Sequence, residues 1–290
     1  MSTDGSSTPA RFDYTDAHGI GIAAYGWAAT DPHAVVQISH GIGEHALRYD
    51  AFARVLAANG FAVYADDHRG HGETGRRQWG GDLSLLGKPG PGCLRATEDA
   101  ILQLTNLARE RHPGLPVIMF GHSWGSLMAQ RIINREPRAF EAVVLSGSAK
   151  RTPISMETGA LNKRWAGAAA NGAEWLSRDP DAQRAFTEDP LCFEADTMKL
   201  LGVADALRLF GTPSSRVASD VPILIVSGGD DPLSRGDSLR RLGDAYRIRG
   251  VRDVTVRVFP GARHELLNET NRDEATAEIV TWMLDRFPRG

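Results

Sequence analysis

The chain has 290 residues, 42% of them hydrophobic, and a formal net charge of −3 with acids and bases interspersed. That is enough apolar material for one large core, and the even balance of charge excludes nucleic acid as an expected partner. Two cysteines, Cys93 and Cys192, show neither metal-ligand spacing nor a disulfide framework, which fits a reducing, cytoplasmic setting. Residues 1–10 are mostly Ser, Thr, Asp, Gly and Pro and read as a disordered tail, not a leader. No apolar run approaches the ~18 residues of a membrane span.

In chain order, 11–14 and 20–27 are two short strands around Asp16-Ala17-His18-Gly19, the antiparallel edge of a sheet. A buried strand at 34–39 runs into His40-Gly41-Ile42-Gly43-Glu44-His45. Glycines there let the backbone approach a substrate, and the N–H of Ile42 would point at it. His40 and His45 have no matching cysteine or carboxylate cluster, so they read as braces of that loop and not as metal ligands. A helix at 50–59 carries Phe52, Val55 and Leu56 on one face, and a strand at 61–65 empties into a polar loop. In that loop Asp67 with His68 or His71 has the makings of an acid–base pair, but such loops normally brace a neighbour by hydrogen bonding. An amphipathic helix at 97–111 follows, closed by His112-Pro113-Gly114.

The stretch Val117-Ile118-Met119-Phe120 is a strand, and Leu127, Met128, Ile132 and Ile133 mark a helix from 123 to about 136. Gly121-His122-Ser123-Trp124-Gly125 therefore sits at a strand-to-helix junction, where a G-x-S-x-G pattern holds a nucleophile on a strained turn. The helix behind Ser123 aims its N–H groups at any oxyanion formed there, that of Trp124 first. With a further strand at 142–146, the strand–helix alternation from 34 to 146 implies a doubly wound, mostly parallel α/β sheet.

From 150 to 219 the rhythm breaks into helical pieces near 155–171, 181–188 and 195–210. This is a helical lid inserted in a core of 11–149 and 220–290. Of its Trp165, Trp175, Leu176, Phe186, Leu191, Phe193, Met198, Leu201, Leu207 and Phe210, about a third should face a pocket and the rest form lid core. The sheet resumes at 222–227 before Gly228-Gly229-Asp230-Asp231, and again at 255–259 before His264, with a last helix at 272–286. Ser123, an Asp and His264 thus follow three parallel strands in the order of α/β-hydrolase triads.

The stretches HGIGEHALRYD from His40, ADDHRGHG from Ala65, GHSWGS from Gly121, WLSRD from Trp175, DPLC from Asp189, SGGDDP from Ser227 and RHELLNE from Arg263 carry a family resemblance. The chain resembles the α/β-hydrolase group of monoacylglycerol lipases and lysophospholipases, also described as serine aminopeptidase-like. The resemblance implies the α/β-hydrolase fold and a serine esterase with Ser123 as nucleophile, Asp231 rather than Asp230 as acid and His264 as base. It also implies oxyanion donors Ile42 and Trp124, and Glu44, Arg48 and His122 near the polar end of the substrate. Two departures stand out: Trp124 replaces the usual methionine, and no second histidine follows His264 by one turn. No metal or cofactor is required. The implied substrate is a single-chain lipid ester, and the lid would allow transient contact with a membrane or micelle surface.

Alternatives within the fold are a small-ester carboxylesterase, an acyltransferase, or an aminopeptidase, which would want lid acids such as Glu157, Glu174 or Glu188 to bind an amine. Dehalogenases and epoxide hydrolases of this fold would need an aspartate where Ser123 stands. A silent binding module is the non-enzyme alternative, though it has no use for a strained serine turn.

Overall fold

The computed structural model describes residues 8–159 and 161–289. Of the expected tail, residues 1–7 lie outside the described residues, and Ala10 already opens the first strand. The strands β1 (Ala10–Thr15) and β2 (Gly21–Trp27) form the expected hairpin, with Tyr14 opposite Ile22. The Asp16 carboxylate accepts the N–H groups of His18 and Ile20 and so fixes the turn. β2 pairs antiparallel with β4 (Phe61–Asp66), and every later pairing is parallel. With β3 (Ala34–Ser39), β5 (Val117–His122), β6 (Ala142–Ser146), β7 (Ile223–Gly228) and β8 (Val254–Phe259), the sheet order is β1-β2-β4-β3-β5-β6-β7-β8.

Alternation along the buried strands divides the core. Val117 and Met119 face one layer with Ile101 of α3 (Cys93–Arg111), Met128 and Ile132 of α4 (Trp124–Arg135), and Leu242 of a further helix at 238–248. Ile118 and Phe120 face the other layer with Phe52 and Leu56 of α1 (Asp50–Ala58) and with Ile279 and Met283 of the last helix. The fold is the doubly wound α/β-hydrolase sheet.

Four helical assignments differ from the sequence pattern, the piece expected near 155–171 being, among the described residues, only a short 3-10 turn at Leu161–Trp165. α3 begins at Cys93 and not at 97, because Gly92 turns at φ 76° and caps it. The polar loop after β4 contains α2 (Gly72–Gln78), tied down where Asp67 accepts the N–H of Glu73. The helix between β7 and β8 was not assigned from sequence, yet it buries Leu239, Leu242 and Tyr246. Between β6 and β7 the insertion holds a 3-10 turn (Leu161–Trp165), α5 (Pro180–Glu188) and α6 (Thr197–Arg208), which breaks at Gly202. The two remaining helices are α7 (Ser238–Ile248) and α8 (Arg272–Leu284). No helix among the described residues is long and apolar enough to cross a membrane.

One close approach positions everything that follows. α4 leaves β5 directly over β3, and a Cβ added at Gly125 would lie 2.1 Å from the Ser39 carbonyl oxygen. Only glycine fits there. Gly125→Ala is therefore expected to lower stability by about 3 kcal/mol, the upper end for overpacking a dense interior, as read by denaturant unfolding. A variant as stable as the wild type would mean that α4 shifts freely.

Candidate active site

Ser123 stands between β5 and α4 at φ 51°, ψ −121°, one of three non-glycine residues with positive φ among the described residues. A branched neighbour could not share this turn: a Cβ at Gly121 would meet the Gly125 carbonyl at 2.7 Å. The turn is held from below by the Ser123 N–H, which donates to the Ser146 carbonyl of β6 at 2.9 Å. Trp124 supplies the first N–H of α4, one of the groups a helix leaves without an internal acceptor. Ile42 lines the same cavity from the loop after β3, and Gly41 of that loop passes so close that a Cβ would lie 3.1 Å from Ser123 Cβ.

His264 follows β8 and Asp231 follows β7. His264 Nδ1 lies 3.0 Å from Asp231 Oδ1, and both residues are buried. Asp231 also accepts the hydroxyl of Ser227 at 2.6 Å and the N–H of Leu233 at 2.9 Å. Burial alone would raise this carboxyl, but His264 and these donors hold it below its usual range. Burial likewise pulls the imidazole down, and Asp231, Glu265 and Glu44 more than reverse it, so His264 sits above its ordinary value. His264 Nε2 is buried without a partner, and His264 and Ser123 line the same cavity. Asp230 points elsewhere, to an exposed ion pair with Arg164 at 2.8 Å.

The polar end of the cavity differs from the expectation for Arg48. Glu44 and His122 line the cavity, as does Glu265, which the sequence reading did not single out; Arg48 does not. Its fork of donors is spent on Glu265, at 2.7 and 2.8 Å, and on Glu44 at 2.8 Å. Glu44 further accepts the N–H of Gly41 and the hydroxyl of Tyr49. Burial opposes the charge on Glu265, yet Arg48 overrides it and brings that carboxyl down to about 2. Two carboxylates share one guanidinium, so this wall is acceptor-rich and negative. His122 stays neutral, because burial lowers it to about 4. The signal in the sequence was the position of Glu265 directly after His264, but nothing local announced its pairing with a residue over two hundred positions away.

The loops around the site brace it as expected. Asp67 pairs with neither His68 nor His71 and instead accepts the N–H of Ala46 and the hydroxyl of Tyr25. His40 stacks on His68 at 4.0 Å and accepts its backbone N–H. For His45, however, the fold supplies the cluster that the sequence lacked: Asp189 and Cys192 arrive from the insertion, with candidate ligand atoms within 4.8 Å of one another. His45 Nε2 and Asp189 Oδ2 already share a hydrogen bond of 2.8 Å. Burial pushes the Cys192 thiol up, away from the thiolate a metal would need.

The apolar wall is richer than the expected third. Trp175, Leu176, Phe186, Phe193, Met198 and Phe210, six of the ten insertion residues considered, line the cavity with Leu127 and Leu233. Of the three insertion acids, Glu157 lines the cavity and Glu174 and Glu188 do not. Glu157 pairs with Arg235, Glu174 accepts from Asn162, and Glu188 is exposed away from the cavity.

A family model described as serine aminopeptidase, S33, matches residues 30–271. The chain is 33% identical to a monoacylglycerol lipase of Mycolicibacterium smegmatis over 97% of this chain and 99% of that one. It is 27% identical to the human monoglyceride lipase over 90% of this chain and 86% of that one. A crystal structure of a thermostable carboxyl esterase from Bacillus coagulans, in complex with glycerol, has the same fold, with a TM-score of 0.83 at 23% identity over 97% of this chain and 99% of that one.

Removing Arg48 would leave two buried carboxylates facing each other. Arg48→Ala is expected to cost about 3–5 kcal/mol of stability in denaturant unfolding, the loss typical of a broken buried ion pair. KM for long and short esters should shift by the same factor. A rise in KM confined to one head group, with stability intact, would restore Arg48 to direct substrate contact.

Proposed function

Because this chain belongs to the serine aminopeptidase S33 family of α/β-hydrolases and is a hydrolase of the lipase and esterase type, we propose that it cleaves esters of single-chain lipids, monoacylglycerols foremost, through an acyl-enzyme on Ser123. The observation that carries this reading is the buried His264, bonded through Nδ1 to Asp231 and with Nε2 unpartnered in the cavity shared with Ser123.

His264 Nε2 takes the Ser123 proton as the oxygen attacks the ester carbonyl. The N–H groups of Ile42 and Trp124 hold the oxyanion, each worth on the order of 3 kcal/mol in the transition state. Asp231 fixes the tautomer that leaves Nε2 free to accept. Collapse of the adduct breaks the ester bond, and the alcohol leaves with the proton from His264. Water then gives a proton to the same nitrogen and attacks the acyl-enzyme; the second adduct collapses by breaking its bond to Ser123 Oγ, which takes the proton back from His264 as the fatty acid is released. An alcohol in place of water would make the reaction a transfer.

The negative polar wall favours a head group that donates hydrogen bonds, such as the glycerol of a monoacylglycerol, over the phosphate of a lysophospholipid. It also suits an ammonium, so the aminopeptidase reading is kept as a competing outcome. The segment 150–219 serves as the lid in this scheme. Ile154, Val203 and Leu207 are exposed on it, which supports transient contact with a membrane or micelle. The free thiols of Cys93 and Cys192 suit a reducing compartment such as the cytoplasm.

Ser123→Ala should abolish turnover with the fold intact, and Asp231→Asn should lower kcat by roughly 10⁴ through the wrong imidazole tautomer. Asp230→Asn should remain near wild type. Residual Ser123→Ala turnover within tenfold of wild type would remove the nucleophile assignment, and the reverse order of the two aspartate variants would move the acid by one residue.

On monoacylglycerols, kcat/KM is expected to climb from acetyl to medium chains, since each buried CH₂ is worth about 0.8 kcal/mol. The same acylglycerol bearing a phosphate should be a much poorer substrate, as should triacylglycerols and aminoacyl amides. A flat chain-length profile would sink the lipid assignment, and preference for the amide would favour the peptidase.

A further inference from the structure

The indole of Trp175 lies with its centroid 4.7 Å from that of the His264 imidazole, the two planes tilted by 34°. Trp175 comes from the insertion, and its position is fixed by more than the ring contact. The Glu265 N–H donates to the Leu176 carbonyl at 2.7 Å, and the His264 N–H donates to the Trp175 carbonyl at 3.4 Å. The Arg263 guanidinium donates to the carbonyls of Glu174 and Ser177, and the Ser177 hydroxyl donates to the Asn268 carbonyl. Glu269, fully buried, accepts from the Arg178 side chain and from the backbone N–H groups of Arg178 and Arg263. Residues 174–178 and 263–269 therefore form one laced unit, although they belong to the insertion and the core respectively.

We propose that Trp175 is a positioning residue for the catalytic base: its ring face seats the His264 imidazole and stabilises the imidazolium that forms when Ser123 gives up its proton. The proposal rests on the reading of His264 as that base. An aromatic face attracts a cation within about 6 Å of its centroid, and more strongly where water is excluded. At a pH where His264 rests neutral, the charge appears only in the transition state and the intermediates flanking it, so there the attraction lowers the barrier and does not merely tighten binding. The other groups that set the charge around His264 are Asp231 after β7, Glu265 on its own loop, Glu44 after β3, and the neutral His122 at the end of β5, whose ring lies 4.8 Å away. Asp231 orients the ring through one nitrogen in its own plane. Trp175 restrains it from the face, which a single in-plane hydrogen bond cannot do. On this reading 174–178 is a fixed part of the catalytic core, and only unanchored parts of the insertion are free to act as a cover.

The test is Trp175→Leu, assayed with p-nitrophenyl acetate, whose acyl group is too short to use the apolar wall. Loss of the cation–π contact should lower kcat by about 3–10-fold and move the acid limb of kcat/KM down by about 0.5–1 pH unit, because the imidazolium is then less stable and His264 is neutral to lower pH. Trp175→Phe, which keeps a ring face, should recover most of both effects. If the leucine variant loses its fold, Trp175→Met replaces it, with the same shift expected in an NMR titration of His264 in the Ser123→Ala background. An unmoved acid limb with unchanged kcat, or a change confined to KM for long-chain esters, would make Trp175 part of the acyl wall only and overturn the proposal. His264→Ala separates the two layers of inference: if it retains activity within tenfold of wild type, the base assignment itself has failed.

Discussion

The β5–α4 junction forces Ser123 into a conformation that side chains avoid, φ 51° with ψ −121°, and the surrounding structure has to hold it there. The sheet order does most of this. β3 and β5 are neighbours with Ser39 opposite Gly121, so the loop after β3 and the turn after β5 emerge side by side. Gly125 rests on the Ser39 carbonyl, which sets how near α4 can come and brings the backbone of Ile42 to the same cavity as that of Trp124. Residues held at such backbone angles cost of order 1–3 kcal/mol, which the packing of Met128 and Ile132 into a fully buried layer can offset. The same parallel register carries β7 and β8 to the same edge, with Gly228 opposite Phe259, and so delivers Asp231 and His264 within one loop length of the serine.

Buried charge at this edge is matched almost group by group. Asp231 has His264, Ser227 and the Leu233 N–H, while Glu44 and Glu265 share Arg48 and add Tyr49, the Gly41 N–H and Asn268. Behind the loop after β3, burial lowers His71 to about 3 and His40 also well below its ordinary value. The neutral imidazole of His71 can pack against Trp124 without adding charge beside it. Of the two histidines lining the cavity, His264 has its buried Nε2 without a partner, so it can accept a proton there.

How much of this was legible in the sequence depends on how local each cause is. Buried parallel strands are short apolar runs, so β3, β5, β6 and β7 could be read within a residue or so of their ends. The serine turn was legible because the strand–turn–helix pattern is local, although only Gly121 is required by a contact within that unit and Gly125 is required by the Ser39 carbonyl of β3. α7 was missed although Leu239, Leu242 and Tyr246 have helical spacing, since its arginines dominate the composition. α2 was hidden by its glycines, and its start depends on Asp67, five residues upstream of Gly72. The partners of Arg48 were hidden for a different reason. Its sequence neighbour Glu44 was visible, but the carboxylate that takes its fork, Glu265, arrives only once β3 and β8 lie in one sheet. The same holds for Asp189 and Cys192 beside His45, and for Trp175 on His264: each is a meeting between the insertion and the core, and no pattern within either segment encodes it.

The insertion is attached most firmly where it meets reacting groups. At 174–178 it is laced to the histidine loop through buried Glu269, and at 189–193 it is pinned to the loop after β3 by Asp189 on His45 and by the Phe193 N–H on the Gly43 carbonyl. These two anchors lie beside His264 and beside the loop after β3, so the insertion is held next to both of the groups proposed for the chemistry. Beyond the second anchor, α6 buries Leu201 and Ala206 toward the core but leaves Met198, Val203 and Leu207 exposed, and it is broken at Gly202. Exposed apolar side chains on a covering helix are a standing cost in water, and they are removed from water only against another apolar body. On the proposed reading, an acyl chain arriving from an aggregate of lipid would meet that face first and the pinned groups around Ser123 last. The division of labour follows from the packing: the rigid contacts sit where sub-ångström geometry governs rate, and the loosely covered apolar surface sits where the length of the tail has to be accommodated.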